Sequence, residues 1–122
     1  MALGAKNLNV KALTVVAGNV PLEKTYLNAI KILSLVNRID IPIYKGMSKP
    51  LKQKHITLED VFGETGMAGT ENWPVLPIEQ KKENAVDFLK TTYNSLSKVN
   101  VIRSIDKKEF VELMYHLLNN LN

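Results

Sequence analysis

"ALTVVAGNVPLEKTYLNAIKIL", residues 12–33, decides how this chain is read. An apolar, β-branched run stops at Gly18-Asn19, and Pro21 opens a second pattern with a different period. Read outward to "LNVKALTVV" (residues 8–16), the run predicts a strand buried on both faces, as in a parallel sheet. Pro21 suits the first helical turn, where its missing N–H has no partner to lose. Leu22, Tyr26, Ala29, Ile30, Leu33 and Val36 recur at helical spacing and predict one apolar face, with Asn37 closing the helix. "IDIPIYKG" (residues 39–46) gives a short second strand, and Pro42 places it near an edge or makes it begin late.

Residues 45–80 show no clear period and hold four glycines and three prolines. A loop that long in a compact domain is functional or disordered. "EQKKENAVDFLKTTYNSLSK" (residues 79–98) restores helical order, with Ala85, Val86, Phe88, Leu89, Tyr93 and Leu96 on one side. "VNVIRS" is a further candidate strand. A last helix follows, with Asp106 and Glu109 as a capping box and Phe110, Leu113, Met114, Leu117, Leu118 and Leu121 inward. The order β-α-β-loop-α-β-α predicts the α/β class, a partial parallel sheet flanked by helices. Right-handed crossovers then bring the strand C-termini to one edge, with Asn19 and the loop after Tyr44 there, where open α/β sheets bind ligands.

Composition narrows the chemistry. At 122 residues there is room for one domain. The hydrophobic fraction of 45% supports a core, yet no apolar run reaches the roughly 18–20 residues of a membrane span. "MALGAKNLNVK" has no signal-peptide pattern, so a cytoplasmic protein with no membrane partner is expected. The absence of cysteine excludes disulfide and thiolate chemistry. The net charge of +4 gathers partly at Lys45, Lys49, Lys52 and Lys54, with one nearby aromatic, Tyr44. That pattern reads as a solvated loop and does not point to nucleic acid, which would call for stacking residues.

Several ordered motifs carry a resemblance. Thr14, Val16, Gly18 and Asn19 match a T-x-V-x-G-N turn, and Asn28-Ala29 an N-A pair in the following helix. "IPIYKGMSKPL" matches a vPvyxGxxkPL segment, and "VFGETGMAGTENWP" resembles an HGxxGMG loop through Gly63, Gly66, Met67 and Pro74. "ENAVDFL" fits the helix beyond it. Over about residues 2–100 the chain resembles the inosine/uridine-preferring nucleoside hydrolases, which remove the base from a ribonucleoside with water. The resemblance implies a fragment of their doubly wound fold, with residues 101–122 a divergent C-terminal helix of the same single partial domain.

It also implies a ribonucleoside ligand and a bound Ca²⁺ that holds the ribose hydroxyls and a water. Asn19 then stands at the active-site edge, its amide offering both a donor and an acceptor. The alternative is that Asn19 tolerates an unusual backbone angle or caps the helix. Phe62 stands where many members carry a histidine that lines the nucleobase pocket. Phenylalanine can stack on a base but cannot donate a hydrogen bond or a proton; otherwise it anchors the loop in the core. Of the two histidines, His55 reads as a solvated side chain and His116 as structural, and neither supports a zinc site.

The family's D-x-D-x-x-x-D-D motif, source of calcium ligands and of the general base, has no match in this sequence. "MALGAKNLNV" resembles the end of the helix that follows that motif, so Met1 reads as an internal methionine used as a start. After "KVNVI" the family's G-P-L-T-N turn is missing too. Glu59-Asp60 is the one adjacent acidic pair in the long loop and reads as solvated or helix-starting. No catalytic and no metal-ligating residue is therefore assigned. The expectation is a nucleoside hydrolase-like domain inactive by itself. A non-catalytic nucleoside-binding module and one half of a split enzyme are the alternatives, with a homo-oligomer or a complementary hydrolase fragment as partner.

Overall fold

The computed structural model describes residues 2–5, 8–52 and 54–95. The chain divides into two units, Met1–Thr91 and Thr92–Asn122, and the second is described only to Ser95. The predicted strand at "VNVIRS", the last helix and His116 lie outside the described residues. A 3₁₀ turn at Ala2–Gly4 precedes β1 (Leu13–Val15), α1 (Leu22–Leu35), β2 (Ile43–Lys45), α2 (Glu59–Phe62) and α3 (Ala85–Ser95), the last crossing the division after Thr91.

β1 and β2 pair in parallel, Leu13 opposite Ile43, Thr14 opposite Tyr44 and Val15 opposite Lys45. Alternation along the strands puts successive side chains on opposite faces. On one face Ile43 joins Tyr26, Ala29 and Leu33 of α1 and Ile41, with Leu13 and Val15 packed against them. On the other face Tyr44 stacks on Phe88 of α3 at 3.9 Å between ring centroids. Helices therefore cover both faces of β2, and the predicted α/β class with a parallel sheet is what forms.

The strand reading needs one correction. β1 is shorter than the apolar run, and Thr14 and Val16 are exposed, so it is not buried on both faces. The choice left open at Pro42 resolves to a late start. β2 begins one residue after it, the Pro42 carbonyl accepts the Leu13 N–H at 2.9 Å, and Ile43 bridges onward to Gln80. β2 is thus flanked on both sides.

α1 ends as the sequence predicts. Asn37 takes φ 53°, its N–H reaches the Ser34 carbonyl at 3.2 Å, and the Arg38 N–H reaches Leu33 at 2.9 Å. This paired bond pattern with a left-handed residue just past the helix satisfies its last carbonyls. Asn84 starts α3 by accepting the Val86 N–H on its side-chain oxygen at 2.8 Å. Val36 and Tyr93, expected inward, are 47% and 55% exposed.

The long aperiodic segment is ordered by polar bonds to α1. Lys24, Asn28, Lys31 and Ser34 form one stripe of the helix, spaced three or four residues apart. Lys24 pairs with Glu59 at 2.6 Å, and Asn28 donates to the Thr65 carbonyl at 2.7 Å. Lys31 donates to the Thr70 carbonyl at 3.0 Å, while Ser34 Oγ accepts the Leu76 N–H at 2.9 Å. Asn28, Lys31, Ser34 and Thr70 are buried. Among the described residues no buried polar side-chain atom lacks a partner, so this second face of α1 is closed without an apolar core.

Candidate functional site

The turn after β1 lies at the carboxyl end of the parallel pair, the edge expected from the strand order. Thr25 Oγ1 lies 2.8 Å from the Leu22 carbonyl and 3.0 Å from the Val16 carbonyl, so its single proton is shared between the first turn of α1 and the strand end. The segment following β2 then folds over the turn. The Ala17 N–H reaches the Met47 carbonyl at 3.1 Å and the Leu58 N–H reaches the Asn19 carbonyl at 2.7 Å. Between them His55 Nε2 meets the Gly18 carbonyl at 2.8 Å. A carbonyl only accepts, so Nε2 carries the proton. His55 is half-buried here, which corrects its reading as a solvated side chain.

Asn19 itself is exposed. Its backbone angle is ordinary, since Asn37 is the one non-glycine residue with positive φ among the described residues. No side chain caps α1, whose cap position is Pro21. Neither structural alternative for Asn19 is therefore adopted. Among the described residues its side-chain amide makes no hydrogen bond, which leaves both donor and acceptor for another molecule.

Phe62 closes α2, with its N–H on the Leu58 carbonyl at 3.0 Å. It is 41% exposed and α2 buries none of its residues, so Phe62 does not anchor the loop in a core. Leu58 links the two predicted residues: its N–H holds Asn19 and its carbonyl receives Phe62. Just beyond, Gly66 takes φ +72°, and a Cβ there would lie 2.8 Å from both methyls of buried Val20. The glycine of the "GETGM" loop is what lets this loop close on the turn. A hollow of about 140 Å³ lined by Lys24, Leu27, Asn28, Glu64 and Thr65 includes neither Asn19 nor Phe62. It falls below the roughly 300 Å³ at which small-molecule pockets begin.

The carboxylates are mostly occupied. Glu59, the first residue of α2, pairs with Lys24, and that hydrogen bond holds its carboxyl below the usual range. Glu23 pairs with Lys45, whose ammonium also lies 4.3 Å from the centre of the Tyr26 ring. Arg38 grips Asp40 through two bonds of 2.8 and 3.0 Å and lowers that carboxyl as well. Glu71 is lowered by its own amide and by the Gly69 N–H. Ca²⁺ takes six to eight oxygen ligands, several of them anionic. Among the described residues no three His, Asp or Glu side chains gather to hold a metal, so the donor set does not fit Ca²⁺. Nor is any helix among them long and apolar enough to cross a membrane.

Comparison with known proteins supplies the lineage. The sequence model of the family described as "Inosine-uridine preferring nucleoside hydrolase" matches residues 1–107. The chain belongs to this family. An uncharacterized protein of Schizosaccharomyces pombe, C1683.06c, is 41% identical over 92 residues, 73% of this chain and 28% of that protein. The pyrimidine-specific ribonucleoside hydrolase RihA of Photobacterium profundum is 46% identical over 77 residues, 63% of this chain and 24% of its own length. RihA of Escherichia coli O1:K1 / APEC is 44% identical over 77 residues with the same coverage. The chain thus spans about a quarter of the length of these relatives. The resemblance carried by the T-x-V-x-G-N turn and the glycine loop is borne out at the level of the family.

What sequence reasoning missed is the role of the polar stripe and of His55. The N-A pair gave the position of Asn28 but not its bond to Thr65. Polar residues at positions 24, 28, 31 and 34, three or four apart on one side of the helix, were a usable signal that a segment lies across it, though not of which atoms it bonds.

Proposed function

We propose that these 122 residues are a nucleoside-receiving portion of a nucleoside hydrolase and that by themselves they bind a ribonucleoside without cleaving it. The observation that carries this reading is the exposed, unbonded amide of Asn19, held from the same side through Gly18 and through its own carbonyl. An amide fixed in this way can accept from a ribose hydroxyl and donate to a base or sugar oxygen. The exposed ring of Phe62, at the end of the helix that begins beside Leu58, offers a stacking surface for the base. The names of the RihA relatives favour a pyrimidine ribonucleoside as the ligand.

Cleavage needs a group to take a proton from water as its oxygen bonds to the anomeric carbon, and the base must leave with a proton. Glu23, four residues beyond Asn19, and Glu59, next to the Leu58 that bonds it, are each ion-paired to a lysine. Phe62 cannot protonate a leaving base. Calcium chemistry, which the family would bring, finds no ligand set among the described residues.

Titration of the chain with uridine and with inosine by ligand-detected NMR, in calcium or in chelator, tests both halves. Binding independent of calcium with no release of free base is expected, and Asn19→Ala should weaken it about tenfold, the worth of one to two hydrogen bonds. Hydrolysis by the pure chain that a chelator abolishes would refute the inactivity. Absence of binding to either nucleoside would refute the receiving role. A second reading, one half of a split enzyme, is favoured by Val16, 57% exposed beside the turn, and by the outer edge of β1, unpaired among the described residues. It predicts activity on mixing with a complementary hydrolase fragment.

A further inference from the structure

The residues on either side of the Asn19 side chain are held by one short segment. The carbonyl of the Gly18–Asn19 peptide accepts from His55 Nε2 at 2.8 Å. The carbonyl of Asn19 itself accepts from the Leu58 N–H at 2.7 Å. A change of backbone angle at Gly18 carries the Asn19 side chain with it. Gly18 has no side chain, and a Cβ built there would meet nothing within 4 Å. The remaining bond at this point, Gly18 N–H to Val20 at 3.1 Å, lies inside the turn and moves with it. The imidazole is therefore the external restraint on this peptide.

We propose that His55 is a positioning residue for Asn19, fixing the direction of its amide toward the nucleoside by donating from Nε2 to the Gly18 carbonyl. The inference rests on the nucleoside-receiving role of Asn19 and adds a residue to it. The bond falls on one of the two peptide groups that flank the Asn19 α-carbon, the other being held by the Leu58 N–H.

The test uses the whole 122-residue chain, with uridine as probe and isotope labelling at the turn. Two variants separate the hydrogen bond from the ring: His55→Ala removes the donor, and His55→Gln replaces it with an amide N–H at a similar distance from the backbone. His55→Ala should weaken uridine binding about tenfold, and His55→Gln should restore it to within about threefold, as expected for one hydrogen bond. In the free protein His55→Ala should shift the Gly18 carbonyl carbon and the Asn19 amide nitrogen, and His55→Gln should bring both back. Unchanged binding in His55→Ala, or equal loss in both variants, overturns the proposal. If wild type binds no uridine, the receiving role fails, and the two turn resonances decide the positioning: no shift in His55→Ala overturns it. If His55→Ala does not fold, the binding and shifts of His55→Gln alone decide, and loss of either refutes the restraint.

Discussion

Gly66 is the contact on which closure of the glycine loop over the Asn19 turn depends, and its replacement by alanine makes a sharp test. A Cβ at this position would stand 2.8 Å from Val20 Cγ1 and Cγ2 and 3.4 Å from its Cβ. Carbon atoms prefer about 3.5–4.0 Å. Val20 is 2% exposed and β-branched, so its methyls cannot rotate away freely. Overpacking of this kind costs about 1–3 kcal/mol. The φ of +72° adds about 1–2 kcal/mol for any residue with a side chain. Reduced freedom of the unfolded chain returns about 0.4–1 kcal/mol. Gly66→Ala should therefore destabilise by about 2–4 kcal/mol, a large part of the ~5–15 kcal/mol that holds an ordinary domain together.

Gly69→Ala is the control. Its φ is +83° but nothing lies within 4 Å of the added carbon, so strain alone applies and the loss should be about 1 kcal/mol. Val20→Ala removes two buried methyl groups, at about 0.8 kcal/mol each. The double variant Gly66→Ala/Val20→Ala should then be more stable than the sum of its parts predicts, by about 1–3 kcal/mol. Urea unfolding followed by far-UV circular dichroism reads the whole chain. The emission of Trp73, the sole tryptophan, reads the loop itself, since its N–H rests on the Thr70 carbonyl at 3.1 Å. Equal losses in Gly66→Ala and Gly69→Ala, or strict additivity in the double variant, would refute the close approach to Val20.

Three further outcomes follow from the same structure. Asn28→Ala leaves the Thr65 carbonyl without its partner and should cost about 1–3 kcal/mol in urea unfolding, whereas Lys31→Met should cost less, because the buried ammonium is removed along with its bond. The Glu59 carboxyl is held below its usual value by Lys24, so its stabilising contribution is complete above the ordinary glutamate value of about 4.3 and fades as pH falls through the lower, folded value. A pH titration of the α2 amide resonances should show release at a pH below the ordinary glutamate range, and Glu59→Gln should abolish that step. A double-mutant cycle on the stacked Tyr44–Phe88 pair should return a coupling of about 0.5–1.5 kcal/mol, and a value near zero would mean that α3 is not held to β2 by this stack.

The sequence discloses what repeats and hides what is paired across distance. α1 was legible because Tyr26, Ala29 and Leu33 return at helical spacing, and its end was legible because asparagine accepts the left-handed angle that Asn37 shows. The strand pair was legible in kind, but an unbroken apolar run overstates burial when one side of β1 is uncovered among the described residues, as at Val16. The segment from 46 to 84 was not legible. Its bonds from Asn28, Lys31 and Ser34 span 37, 39 and 42 residues and join side chains to backbone atoms. Backbone partners leave no mark on residue type, so neither periodicity nor composition can locate them. His55 was misplaced for the same reason, since its partner is a carbonyl 37 residues away. Asn19 was singled out through the motif around it, and the structure adds the bonds of its turn to His55 and Leu58 and a side-chain amide that makes no hydrogen bond among the described residues.

The two groups of polar bonds belong to one arrangement. Lys24 and Asn28 hold Glu59 and Thr65, and between those points lies the helix that ends in Phe62. Immediately before Glu59 stands Leu58, whose N–H holds Asn19. The apolar side of α1 fixes the sheet, and its polar stripe fixes the segment that grips the turn at the end of that sheet. A change at Asn28 can thus reach Asn19 through Glu59 and Leu58 while the core of Leu33, Ile41 and Ile43 stays as it is. Because hydrogen bonds to buried carbonyls contribute only about 0.5–1.5 kcal/mol each, the grip can loosen at less expense than the core can unfold. On the proposed nucleoside-receiving role, affinity should therefore be lost before global stability when these polar bonds are removed one by one, and the reverse order should hold when Leu33 or Ile43 is cut back.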